Sequence, residues 1–454
     1  MSVRDSGGLF VVAGHIDAAR VAVLGLHGMQ HRGRDGAALT VADGVRLRSV
    51  HGRGRVGPVL SESVGSLLGT VAVGTVWNGD GVDRLVSGRF SAGRLVAGVV
   101  GRFTNGHSLR QELLEQGAML RSGSDAELLV HLVARSTQRT LVNRLVDAVW
   151  RLEGAYVLTV CTAERLVVLR DPAGFRPVWV GHLGDAVVAA TDDAALVEAG
   201  ARPERPLAPG EMLIVDERGS VRIKPLPERP LARCTQEMVG LASAHGRPFG
   251  IAAHQLRREL GQALAEQHPA PEATVVVGMP GAGEALAVGV ASALGLPNER
   301  ALTVVDGGPF GQLHDGLDYG SRARLKVLES AVDGERVLLV TPWISGGDLL
   351  RQAIARLDAA GARGVELRSA APPMRLACPY GVAMPGTETL ASSRHPDPSD
   401  LSSWLGAASV AWLTGPVLEK VLGPQDGRCD ACLSGTLPVD VQDALDEDQL
   451  SLFA

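Results

Sequence analysis

Apolar residues in the first half of the chain come in short runs cut by polar turns, the pattern of strands rather than of long helices. Residues 8–12 predict one strand, and others are expected over 71–73, 95–97, 156–161, 166–169, 186–190 and 212–215. Leu39-Thr40-Val41 and Val45-Arg46-Leu47 flank the step Asp43-Gly44, which suits a tight hairpin turn. Two helices interrupt the series. Asp17 is placed to cap one whose apolar positions Val21, Leu24 and Met29 recur near helical spacing. Ser124-Asp125-Ala126-Glu127 reads as a capping box opening the other, with Leu128, Leu129, Leu132 and Val133 on one side. Many strands with few crossover helices predict antiparallel α+β layers.

The Pro-rich stretch Lys224-Pro225-Leu226-Pro227-Glu228-Arg229-Pro230 predicts a boundary between domains 1–230 and 231–454. Beyond it helices and strands alternate. A helix over 252–267, a strand over 274–277, the loop Pro280-Gly281-Ala282-Gly283, a helix over 284–294 and a strand over 302–305 come first. A strand over 336–340, the loop Ser345-Gly346-Gly347, a helix over 348–359 and a strand over 364–367 follow. This alternation predicts a parallel sheet with any ligand at the strand C-termini.

Composition adds exclusions. The 454 residues are 45% hydrophobic and 21% charged, with a net charge of -6 and a pI near 6.1. Neither nucleic acid nor a membrane is expected as a partner. Lys224, Lys326 and Lys420 are the only lysines. No apolar run approaches bilayer length, and the N-terminal residues do not read as a signal peptide. An odd cysteine count without a secretion signal points to a reducing compartment, hence a cytoplasmic protein.

The cysteines carry the sharpest signal. Cys161 sits in an apolar run and reads as a core thiol. Cys429 and Cys432 form a Cys-x-x-Cys pair, while Cys234 and Cys378 lie far upstream. Spacing alone leaves structural zinc, an iron–sulfur cluster and chance open.

Several motifs in order then resemble the amidophosphoribosyltransferase family, whose members make phosphoribosylamine in purine synthesis. They are Leu26-His27-Gly28-Met29-Gln30-His31-Arg32-Gly33, Ser124-Asp125-Ala126-Glu127, Arg170-Asp171-Pro172-Ala173-Gly174-Phe175-Arg176-Pro177, Pro209-Gly210-Glu211, Ala359-Ala360-Gly361-Ala362, Ala371-Pro372-Pro373, Cys378-Pro379-Tyr380-Gly381-Val382 and the Cys429 motif. The resemblance implies an α+β N-terminal-nucleophile hydrolase (glutamine amidotransferase type 2) domain followed by an α/β type I phosphoribosyltransferase domain. It further implies a [4Fe–4S] centre on Cys234, Cys378, Cys429 and Cys432, and no magnesium is expected.

The same resemblance shows departures at the reactive positions. The nucleophilic cysteine is matched by Ser6, a hydroxyl that needs a well-placed base. Trp77 stands where the family has the arginine that grips the glutamine carboxylate, and an indole is no substitute for a bidentate guanidinium. The oxyanion segment reads Val99-Val100-Gly101-Arg102, with Val100 in place of an asparagine donor. Arg32, Asp125 and Gly101 remain as remnants of the substrate site. In the second domain Thr341 and Pro342 replace the adjacent acidic pair, Asp348 replaces a threonine, and Arg324 replaces a lysine. The pyrophosphate loop, Pro-Asp-Ser-Gly in the family, is Pro280-Gly281-Ala282-Gly283. The expectation is a pseudoenzyme acting by partner binding, as a homo-oligomer or a hetero-oligomer with an active family member. The alternative is an active or diverged amidotransferase.

Overall fold

The computed structural model describes residues 7–79, 84–91, 93–304, 325–423 and 427–441. They fall into two units, one of Met1–Arg233, Pro379–Ala383 and Leu437–Ala454, the other of Cys234–Cys378 and Met384–Thr436. Among the described residues no helix is long and apolar enough to cross a membrane.

The first unit carries strands β1 (Gly7–Ala13), β2 (Gly36–Ala42), β3 (Leu47–Arg53), β4 (Val71–Trp77), β5 (Leu85–Phe90), β6 (Gly93–Phe103), β7 (Gly154–Cys161), β8 (Leu166–Arg170), β9 (Trp179–Leu183), β10 (Ala186–Ala190), β11 (Arg202–Pro206), β12 (Met212–Asp216) and β13 (Gly219–Ile223). Its helices are α1 (Ala18–Gly28), α2 (Val56–Val64), α3 (Gly106–Glu115), α4 (Asp125–Arg135), α5 (Leu141–Val149) and α6 (Asp193–Glu198). One sheet runs β11-β9-β10-β1-β4-β2-β3 and the other β13-β12-β8-β7-β6-β5. Period-two alternation sorts β1 cleanly. Leu9, Val11 and Ala13 face the other sheet, while Phe10 and Val12 face α1 and α6. Helices α3 to α5 cover the outer side of the second sheet, completing four layers.

Local details depart from the sequence reading in three places. Leu24 is 49% exposed, and α1 buries Val21, Ala22, Gly25 and Leu26 instead. Asp17 occupies the cap position without a side-chain capping bond. Ser124 does cap α4 through Ala126 N–H, but the Glu127 carboxylate turns away to accept from Arg121 N, Ser122 N and the Ser122 hydroxyl. Those three donors outcompete the single N–H a capping box offers.

In the second unit β14 (Ala232–Cys234) enters from the boundary. Then follow α7 (Ala253–Gln267), β15 (Val275–Gly278), α8 (Ala282–Leu294), β16 (Asn298–Glu299), β17 (Leu302–Val304), β18 (Leu325–Val327), β19 (Arg336–Thr341), β20 (Gly364–Ser369), β21 (Ser409–Trp412) and β22 (Gly427–Cys429). A parallel sheet runs β16-β15-β19-β20-β21, as the alternation predicts. Its Val275, Val277, Val337, Leu339 and Leu367 pack against the helix Asp348–Ala359. The strand expected over 302–305 is not part of this sheet, because Leu302–Val304 pairs antiparallel with Leu325–Val327. Alternation of apolar residues marks a strand without telling which partner it takes.

Candidate functional site

Trp77 ends β4, in register with Gly7 of β1 on one side and Gly36 of β2 on the other. Its ring lies over Gly36, where an added Cβ would come within 2.1 Å of the indole Cε2. Any larger residue at Gly36 therefore expels the ring. The indole is 4% exposed and Val100 is 2% exposed, and both belong to the apolar layer between the sheets, with Leu9, Val96 and Val157. The Trp77 indole Nε1 has no hydrogen-bond partner. Ser6, the matched nucleophile position, lies outside the described residues. Two positions expected to bind carboxylate and oxyanion are thus brought together, but as packing.

Two of the expected remnants have structural partners. Arg32 is 3% exposed and donates from Nε and Nη2 to Asp192 Oδ2, at 3.2 and 3.1 Å. His31 reaches the same oxygen, and Asp192 Oδ1 caps α6 by accepting from Ala194 N. Asp125 opens α4 and accepts from Phe103 N at 2.9 Å, tying the end of β6 to the helix. Gly101 sits at φ +110 and faces Tyr156 across the β6–β7 pair, where a Cβ would strike the Ala155 carbonyl. A Cβ added at Gly381 would in turn come within 2.8 Å of the Gly101 carbonyl carbon.

Beside them Asp171 is fully buried, and burial pushes its carboxyl up to about 6 against the opposing pull of Arg170. Its carboxylate oxygens accept from Phe175 N, and its carbonyl accepts from Gly174 N and Gly210 N. The Arg170-to-Pro177 motif is therefore a folded turn. The neighbouring motif residues Arg176 and Tyr380 bind Gly381 O and Val439 O.

At the C-terminal end of β19 the residues singled out in the sequence are likewise engaged in local packing and hydrogen bonds. The Thr341 hydroxyl donates to Trp343 O at 3.1 Å, and Pro342 has no N–H to offer. Trp343 packs on Gly240, where a Cβ would meet its ring at 2.1 Å. The loop carbonyls of Ser345 and Gly346 accept from Ala391 N and Arg394. Gly347 takes φ +84 and leads into the helix whose first residue is Asp348. A carboxylate there complements the helix dipole and repels phosphate from the same place. The loop before α8 keeps its turn, with Gly281 at φ +94, and Arg324 lies outside the described residues.

The cysteines behave differently. Cys161 is wholly buried in the inter-sheet layer and pushed up to about 12 by burial. The strand ending on Cys234 pairs with the strand ending on Cys429, and Cys432 lies on the short helix Ala431–Ser434. Arg375 N donates to Cys432 O, drawing in the segment that leads to Cys378. Burial, then the nearby Cys234 and Cys378 sulfurs, raise the Cys429 thiol well above its ordinary value. Burial and the Cys378 sulfur raise Cys432 in the same way, against the hydrogen bond from Gln236. No disulfide joins any of the five cysteines. Among the described residues no group of three or more His, Cys, Asp or Glu side chains is placed to hold a metal ion. The thiols of Cys234, Cys378, Cys429 and Cys432, close enough to act on one another electrostatically, are the donor set an iron–sulfur centre takes. Asp192, Trp343 and Gln236 were not singled out by sequence reading. Only Gln236 carried a usable signal, a buried-pattern amide two positions after a candidate ligand.

Known proteins align with this arrangement. A Glutamine amidotransferase domain family matches residues 87–198. The chain is 32% identical to "Amidophosphoribosyltransferase" of Bacillus subtilis (strain 168), covering 97% of this chain and 95% of the relative. It is 33% identical to the chloroplastic "Amidophosphoribosyltransferase" of Glycine max, covering 97% of this chain and 79% of the relative. The solved glutamine phosphoribosylpyrophosphate amidotransferase from B. subtilis, complexed with ADP and GMP, superposes with a TM-score of 0.88 at 30% identity. That match covers 96% of this chain and 99% of the other. Similarity of this extent, over a glutamine amidotransferase unit followed by a phosphoribosyltransferase unit, places the chain in the amidophosphoribosyltransferase family.

Proposed function

We propose that this chain is a non-catalytic member of its family that keeps the fold and a thiolate-bound centre and acts by binding a partner. The observation that carries this reading is the burial of Trp77 and Val100 in the inter-sheet layer, at the positions implied for the carboxylate clamp and the oxyanion donor. Losing one oxyanion donor costs roughly 100- to 1000-fold in rate. Thr341 and Pro342 remove the acidic pair from the second site. The fitting partner is an active amidophosphoribosyltransferase subunit in the cytoplasm, because related subunits share symmetric interfaces.

Cys234, Cys378, Cys429 and Cys432 are the residues that would hold a [4Fe–4S] centre. When bound, that group supplies a crosslink and one-electron redox chemistry. The chain's own contribution is to bring residues from both ends of the second unit together and to shield Cys429 and Cys432, both buried, from water.

A second reading, an active enzyme making phosphoribosylamine, is favoured by identity of 32–33% over nearly the whole chain with relatives bearing that name. The purified chain given glutamine, with and without phosphoribosylpyrophosphate, separates the two. The non-catalytic reading expects no ammonia and no phosphoribosylamine above background, and recovery of a family member on pull-down from the host. Turnover on the order of 1 per second overturns it in favour of the second reading.

A further inference from the structure

We propose that Gln236 is a positioning residue of the thiolate centre, its side-chain amide donating a hydrogen bond to Cys432 Sγ and so favouring the reduced state of the cluster held there. The inference rests on the reading that Cys234, Cys378, Cys429 and Cys432 carry a [4Fe–4S] centre.

Gln236 Nε2 lies 3.4 Å from Cys432 Sγ, across 196 positions of chain. The residue is 2% exposed, and its Oε1 has no hydrogen-bond partner among the described residues. An unsatisfied buried amide oxygen costs about 1–3 kcal/mol, a cost an apolar side chain of similar volume would avoid. The contact to sulfur is the one interaction of this amide that offsets it. Thr235, 1% exposed and beside Cys234, likewise keeps its hydroxyl buried without a partner. Two dry polar side chains therefore stand next to the thiols, where packing alone calls for apolar ones.

The amide is also held in place. Gln236 leads into a π-helical turn, Glu237–Leu241, whose carbonyl end is clamped by the fully buried Arg257. Arg257 donates from Nε to Val239 O at 3.0 Å and from Nη2 to Ala242 O at 2.7 Å. A metal-bound thiolate only accepts hydrogen bonds, which fixes the amide with its N–H toward the sulfur. A reduced cluster carries one more electron than the oxidised one, so a donor on its sulfur stabilises the reduced state more.

The test uses the full chain purified without oxygen, as wild type, Gln236→Met and Gln236→Leu. Potentiometric titration followed by electron paramagnetic resonance reads the cluster midpoint. Both variants are expected to retain iron and to titrate at lower potential than wild type, with the second covering a failure of the first to fold. Retained iron with an unchanged midpoint overturns the role of Gln236 and leaves the cluster reading standing. A wild-type chain without iron overturns the cluster reading itself.

Discussion

Around Trp77 and Val100 the first unit is dry and mostly apolar, and among the described residues the polar atoms left over on that strand face are the Trp77 indole N–H and the Thr75 hydroxyl. Around Cys429 and Cys432 the second unit is equally dry, yet it keeps thiols, an amide and a hydroxyl there. Dry space costs little when lined by hydrocarbon and much when lined by unpaired polar groups. The first region therefore explains itself as a core. The second makes physical sense with something for its polar groups to bind. Under the non-catalytic reading the sites are filled by side chains, Trp77 in one unit and Trp343 in the other, while glycine turns such as Gly347 persist beside them.

The largest effect expected from breaking this contrast is at Cys432. Cys432→Ser should abolish iron binding and lower the stability of the second unit by about 3–5 kcal/mol, the range for losing a native crosslink. Hydrogen exchange should localise the loosening to 427–436 rather than to the first unit. Iron retained by the variant would remove Cys432 from the ligand set.

Next comes the filled pocket. Trp77→Ala leaves a cavity in the inter-sheet layer and should cost about 3–5 kcal/mol in chemical denaturation. Trp77→Arg, which restores the residue the family uses, should destabilise as strongly, since it buries an unpaired cation. A stable arginine variant that binds glutamine would show that the space is still a site.

A smaller effect separates the turn motif from both regions. The Asp171 carboxyl sits at about 6 when folded, above its ordinary value of 3.8, because burial disfavours its charge. Its protonated form is thus favoured by folding, a contribution present below the ordinary value and lost as pH rises through 6. Stability from this group should fall between pH 4 and 6 by on the order of 2–3 kcal/mol. Asp171→Asn should flatten that slope, and an unchanged slope would assign the burial cost elsewhere.

The smallest expected effect is also informative. Ser6→Cys alone should leave glutamine hydrolysis at background, because nucleophile, clamp and oxyanion donors act as a unit. Substantial ammonia release from that single variant would contradict the placing of Trp77 and Val100.

Most of the layered fold was legible because strands buried on both faces read as short apolar runs, as in β1, where Leu9, Val11 and Ala13 face one layer and Phe10 and Val12 the other. The proximity of Cys234, Cys378, Cys429 and Cys432 was suggested by the family resemblance, because their spacing alone left several readings open. Contacts across long stretches of chain were not legible. Arg32 looked like a site remnant, and its partner Asp192 lies 160 positions away. Glu127 matched a capping pattern but found better donors in Arg121 and Ser122. The strand at Leu302–Val304 had the right composition for the parallel sheet and took an antiparallel partner. In each case local pattern set the element and tertiary competition set its partner.

One anaerobic preparation of the full chain, divided between iron and sulfide analysis and a glutamine hydrolysis assay, bears most directly on the contrast. The expected result is about four irons and matching sulfide per chain, with no ammonia above background. Ammonia release on the order of 1 per second, or a chain free of iron, would contradict it.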